Sequence, residues 1–250
     1  MSLLSWVTRN RDELICLVLA WVFSKLPNRL SLLKKLEVGV FFFCWRQALQ
    51  AQAEGNSTLN LILKEQAESE YHHAQAFCTL TGSKLELSAD KLFNRESKNA
   101  QIWSTVNWDA SESFQADGLS RKYYSAKAFF GGHQARDFSW ENKLAFMTVL
   151  ESFQACFYRK LLQFLPLKVG RSLLAICNEE ANHSITLRMA LAKMTDSSTA
   201  TKLMRKWKQR LYLGLLILPL DLVGILLSVV MTNIKNAART RLHNQSQSRQ

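Results

Sequence analysis

Glu68-Ser69-Glu70-Tyr71-His72-His73-Ala74 and Asn178-Glu179-Glu180-Ala181-Asn182-His183-Ser184 are the two stretches on which the reading of this chain turns. Each sets a glutamate three residues ahead of a histidine, Glu70 with His73 and Glu180 with His183. On an α-helix such a pair shares one face. Both pairs lie inside apolar stripes of helical period. Leu59, Leu63, Ala67, Glu70, Ala74 and Phe77 recur at spacings of three and four, which predicts a helix over 58–80 closed by Gly82. Leu173, Cys177, Glu180, Ser184, Leu187 and Leu191 do the same for a helix over 169–194.

Each of these helices has a predicted partner just ahead of it. Residues 31–53 carry the stripe Leu33, Glu37, Val40, Phe41, Cys44 and Ala48, with Ser31 placed to cap it and Glu54-Gly55-Asn56-Ser57 to break it. Residues 139–165 carry Leu144, Met147, Glu151, Gln154 and Tyr158 on one face, and Pro166 ends them. The connections inside each pair are short, which favours antiparallel neighbours. The link between the pairs, 83–140, is long and mixed, holding three tryptophans and Gly131-Gly132, with room for a helix such as 119–130. The expected fold class is all-α: a four-helix bundle over 31–194 with a long crossover.

Every one of the four stripes contains an acid: Glu37, Glu70, Glu151 and Glu180. A buried glutamate is costly unless it is paired or bound to a cation. Four bare carboxylates in one core would repel one another and push their pKa values upward, and two divalent cations remove that penalty. One glutamate on each of two helices and Glu-x-x-His on the other two resembles the ligand set of ferritin-like dimetal bundles, and that resemblance implies Glu37, Glu70, His73, Glu151, Glu180 and His183 as the expected metal ligands. A competing reading leaves the glutamates at stripe edges in solvent and the histidines as ordinary core residues. A lone Glu-x-x-His arises easily by chance; the ordered set on four separate stripes does not. Glu37 to Glu70 is 33 residues and Glu151 to Glu180 is 29, each a helix, a turn and a return to similar height.

Neighbouring residues are read more plainly. Glu65, Glu68 and Glu179 are expected on solvated faces, the last becoming a ligand only if its helix turns. His72 lies about 100° round the helix from His73. Tyr158 and Cys177 lie near the depth of the acids and are read as core, Tyr158 with a possible contact to a ligand. Gln154 holds the position where the other pairs have histidine and is placed to hydrogen-bond a ligand carboxylate. His133 is read as structural. Phe41, Phe42, Phe43 and Phe77 are read as core before tunnel lining.

Composition agrees with long helices. Glycine (9) and proline (3) are too scarce for a sandwich, barrel or doubly wound sheet. With 48% apolar residues, 14 Phe and 7 Trp the chain is not disordered. Net charge is +12, and eight basic residues against one acid fall in 205–250. No zinc-finger or RNA-binding segment accompanies them, so no nucleic-acid partner is expected. Five scattered cysteines without a Cys-x-x-Cys form neither a disulfide framework nor a thiolate metal site and suit a reducing compartment.

Two apolar runs lie at the ends. Leu14–Phe23, in an expected N-terminal segment 1–30, holds ten residues, too few to span a bilayer, and no small-residue cleavage site follows it. It reads as a short core helix or one lying on a membrane surface. Leu211–Met231, within 195–250, is long enough to span, but Pro219 and Asp221 interrupt it. A spanning helix, an interfacial hairpin and a segment packed on the bundle all remain open. Its basic flanks suit anionic headgroups.

The ordered Glu, Glu-x-x-His, Glu, Glu-x-x-His set over 31–194 resembles the ferritin-like di-iron carboxylate superfamily. Leu36-Glu37-Val38-Gly39-Val40-Phe41-Phe42-Phe43 resembles the first-helix segment of the demethoxyubiquinone hydroxylase family. The resemblance implies a ferritin-like bundle, two iron ions (or manganese with iron) held by the six residues, and association with a membrane. It implies an O2-dependent hydroxylase or related oxygenase acting on an apolar, membrane-derived substrate, with electrons from a separate reductase. Alternatives are a ferroxidase or metal-handling protein, and a non-catalytic membrane scaffold. No flavin or nicotinamide motif is present.

Overall fold

In a computed structural model of the chain the described residues are 11–85, 130, 133, 137–217 and 220, and every regular element among them is helical. The chain divides into two compact units, residues 1–120 with 134–208 and residues 121–133 with 209–250. In the first, α1 (Arg11–Ser24), α2 (Arg29–Ala53), α3 (Ser57–Thr81), α4 (Trp140–Leu161) and α5 (Leu167–Met194) follow in order, and a further helix begins at 197. In the second, residues 209–217 are helical and Phe130 is buried.

The long helices form two hairpins. In the first, Asn60 on α3 donates to the Ala48 carbonyl on α2, and Lys34 donates to Ser83 near the other end, so α2 and α3 run antiparallel. The turn between them depends on Gly55, whose φ of 75° favours glycine, and on Asn56, whose side chain accepts from the Leu59 amide at 3.0 Å. In the second hairpin, Ser184 on α5 donates to the Thr148 carbonyl, and Cys177 donates to the Ala155 carbonyl. That register again makes α4 and α5 antiparallel. Between hairpins, Lys143 on α4 donates to Gln50 on α2, and Gln66 on α3 reaches Glu151 on α4.

Two local expectations change. Ser31 does not cap α2, which starts at Arg29 after Asn28 adopts left-handed geometry at φ 58°. The third predicted helix does not reach residue 165. Pro166 forces Leu165 into an extended conformation, and the chain tightens to a 3-10 turn over Leu162–Phe164. Helix α1 is buried along one edge alone. Only Cys16 and Ala20 are buried, and Leu14, Val18, Trp21 and Val22 are exposed.

Leu33, Phe77, Tyr158, Leu161, Leu173 and Ile176 form one packed cluster with the buried edge of α1. Phe41 and Phe77 are fully buried, and Phe41 packs against Phe42, Trp45 and Tyr71. Phe43 meets Phe146 edge-on, with ring centroids 5.2 Å apart. These rings fill core. No helix among the described residues is long and apolar enough to cross a membrane. Most of the expected crossover 83–140 and of the apolar segment 211–231 lies outside the described residues.

Candidate metal centre

Four helices each bring one glutamate to the same interior point. Glu37, Glu70, Glu151 and Glu180 are 0% exposed, His73 is 2% exposed, and the His183 side chain is 16% exposed. Two groups of donor atoms result. Glu37, Glu70, His73 and Glu180 form one; Glu70, Glu151, Glu180 and His183 form the other. Within each group the donor atoms lie within 4.8 Å of one another. Glu70 and Glu180 belong to both groups, whereas Glu37 with His73, and Glu151 with His183, belong to one each.

The imidazoles face this centre through Nδ1. His73 Nδ1 stands 3.3 Å from Glu180, 3.5 Å from Glu70 and 3.8 Å from Glu37. His183 Nδ1 stands 3.4 Å from Glu70, 3.5 Å from Glu180 and 3.7 Å from Glu151. Glu37 Oε2, both Glu70 oxygens, Glu151 Oε2, Glu180 Oε2 and both Nδ1 atoms have no hydrogen-bond partner although they are buried. Orphaned buried acceptors of this kind are costly. Donors held about 2.1 Å from a common cation stand roughly 3.0–3.4 Å apart for angles between 90° and the tetrahedral value. The spacing, the orphaned inward atoms and the oxygen-and-imidazole chemistry fit hard or borderline divalent cations. The buried glutamate and histidine groups can hold a metal ion.

Protein partners hold other atoms of these ligands. Tyr158, fully buried, donates its hydroxyl to Glu37 Oε1. Gln66 donates to Glu151 Oε1 at 2.6 Å, and Gln154 to Glu180 Oε1 at 3.5 Å. His73 Nε2 lies 2.9 Å from Glu179 Oε2, which also accepts from Ser69 at 3.0 Å. A carboxylate on the far nitrogen fixes which imidazole nitrogen points inward.

Burial and the neighbouring charges shift these groups strongly. Burial pushes Glu37 well above the ordinary carboxylate range; His73 opposes this, and Glu180 and Glu70 add to it. Glu151 rises through burial, then through Glu180 and Glu70. Burial would raise Glu70 as well, but His183 and His73 outweigh it and hold Glu70 at about 2. Burial opposes the imidazolium form of His183, yet Glu151, Glu180 and Glu70 push it up to about 12. His73 is raised in the same way by Glu180, Glu37 and Glu70. Burial, then Glu37, keeps Tyr158 a protonated donor.

The neighbouring residues stand largely on the solvated faces that the sequence gives them. Glu179 remains on the surface, but it touches the far side of His73 rather than solvent alone. His72 points outward and pairs with Gln75. Glu65 is exposed and Glu68 half-buried. Gln66 was not singled out by sequence reasoning, although its position four residues before Glu70 puts it on the same stripe. An apolar groove of about 350 Å³, lined by none of the six candidate ligands, opens between the start of α3 and the end of α5. Leu59, Ile62, Met189, Ala190 and Met194 line most of it, with Lys193 at its edge.

No family model, curated protein or solved structure matches the chain.

Proposed function

We propose that this chain is a ferritin-like di-iron carboxylate protein, and that it is an O2-dependent hydroxylase or related oxygenase acting on an apolar, membrane-derived substrate. The observation that carries the reading is the pair of four-residue groups sharing Glu70 and Glu180, with their inward atoms left without protein partners. Glu37 and His73 would hold one ion, Glu151 and His183 the other, and Glu70 and Glu180 both. Iron is the first choice and manganese with iron the second, because carboxylate and imidazole donors suit both. Bound there, the ions would supply reduction of O2 with electrons from a separate reductase.

The chain's own residues supply position and dryness. Tyr158 and Gln66 hold one oxygen of Glu37 and of Glu151, leaving the other for the cation, and Gln154 steadies Glu180. Glu179 orients His73. Leu63, Leu144, Phe77 and Leu173, all fully buried, pack the interior of these same helices and exclude water. The groove between α3 and α5 supports an apolar substrate, since its lining is largely aliphatic and thioether.

Membrane association with the bundle on a reducing side belongs to the same proposal. The exposed Leu14, Val18, Trp21 and Val22 of α1, followed by Lys25 and Arg29, support it. So do five cysteines that are all free thiols.

The test is metal analysis of the purified full chain together with O2 consumption after iron loading, in the presence of a reductant and extracted lipid. About two metal ions per chain are expected, with O2 uptake that follows iron content and an oxygenated lipid product detected by mass spectrometry. Metal-free protein that takes up no iron removes the site. Iron-loaded protein that consumes no O2 with any reductant removes the oxygenase reading and leaves the metal centre standing.

A further inference from the structure

We propose that Cys16 and Cys156 form a redox modification site, closed to a disulfide by hydrogen peroxide, that bolts α1 to α4. Helix α1 meets the rest of its unit mainly along α4, and its buried edge consists of Cys16 and Ala20, four residues apart. A disulfide needs Cα atoms about 4.4–6.8 Å apart, and Cys16 and Ala20 keep the α1 side of the seam low. Cys16 is 1% exposed and belongs to the same packed cluster as Cys177, and Cys156 packs against that cluster. The Glu13–Lys160 ion pair lies three residues before Cys16 on α1 and four residues after Cys156 on α4, and this register sets the two cysteines opposite each other across the seam. Cys177 is turned away to the Ala155 carbonyl, at 3.2 Å, and Cys44 and Cys78 sit on α2 and α3. The dithiol is therefore a defined pair within a group of three.

The two sulfurs have different tasks. Cys156 is half-buried and within reach of a small oxidant, whereas Cys16 is enclosed. The hydrogen bond from Cys16 lowers the Cys156 thiol from its ordinary value; burial opposes this, and Lys160 and Arg159 assist. Cys16 is raised by the same contact and by burial. The Cys156 thiolate attacks one peroxide oxygen: the S–O bond forms, the O–O bond breaks, and hydroxide leaves and takes up a proton as water. Cys16 then attacks the Cys156 sulfur. The S–S bond forms, the S–O bond breaks, and the second hydroxide leaves with the thiol proton. Two thiols lose two protons and two electrons, and one peroxide becomes two waters. The Lys160–Glu13 ion pair beside the seam holds α1 in register for this closure.

The full chain, metal-free and metal-loaded, is treated with hydrogen peroxide, alkylated without reduction, digested with trypsin and mapped by mass spectrometry. The expected result is a linked species joining residues 12–25 to 144–159, with alkylatable thiols falling from the five in the sequence by two. Reduction restores all of them. In Cys16→Ser, Cys156 is expected to stop at sulfenic acid, trapped by dimedone. Five unreacted thiols in the treated wild-type chain, or Cys156 linked to Cys177 instead, overturn the proposal. The wild-type map decides the matter even if the variant fails to fold.

Discussion

Loading the site with two divalent cations should expel about four protons. The count comes from the directions in which burial and neighbouring charges push the ligands. Glu37 and Glu151 are held protonated by burial, and His73 and His183 are held as imidazolium by the carboxylates around them. Glu70, held at about 2, brings no proton to lose. Two divalent cations bring four positive charges, and the departure of four protons leaves the net charge of the centre unchanged. Affinity must then rise with pH: by linkage about 10⁴-fold per pH unit for the pair of ions, or about 100-fold per ion, between roughly pH 6 and 8. The assay is an anaerobic titration of metal-free protein with Mn(II) in weak buffer, read with a pH indicator and repeated by calorimetry in buffers of different ionisation enthalpy. Release of fewer than about one proton per pair, or saturation at one ion per chain, would refute the charge balance proposed for the centre.

Other outcomes follow from the same contacts. Glu70→Gln or Glu180→Gln should weaken both ions, whereas Glu37→Gln or Glu151→Gln should weaken one and spare the other, because only the first two residues belong to both donor groups; metal-to-chain ratios at limiting metal distinguish them. Tyr158→Phe leaves Glu37 Oε1 buried without its donor. A cost of about 1.5–3 kcal/mol and a thermal midpoint lower by about 3–12 °C are expected, read by calorimetry, with about 10–100-fold weaker binding of one ion. The metal-free protein should lose stability as pH rises. Folded-state values raised above the ordinary 4.5 of Glu37 and Glu151 and 6.5 of the histidines give stability that is full below those values and lost as pH climbs through the folded ones, about 12 for His183. Glu70 contributes the opposite way, through stability lost as pH falls from 4.5 through about 2. Urea unfolding of metal-free protein from pH 6 to 9 tests this, and a midpoint that rises across that range contradicts it.

The amino-acid sequence by itself determined what short-range geometry can determine. Helical period and the scarcity of breakers were enough for long helices. The three-residue spacing put Glu70 beside His73 and Glu180 beside His183, since a helix turns once in 3.6 residues whatever it packs against. Boundaries moved where a local force was misjudged: Pro166 acts through the residue before it, and α2 begins two residues earlier than Ser31 suggested. Only the tertiary structure decided how the helices register against one another. Tyr158 meets Glu37 across 121 residues, His73 meets Glu179 across 106, and Gln66 meets Glu151 across 85. Those partners depend on the height and rotation at which whole helices settle, and core packing among Leu33, Phe77, Tyr158 and Leu173 sets both. The sharing of Glu70 and Glu180 between two donor groups, and the burial of Cys16 in the cluster against which Cys156 packs, follow from that packing and not from any spacing along the chain.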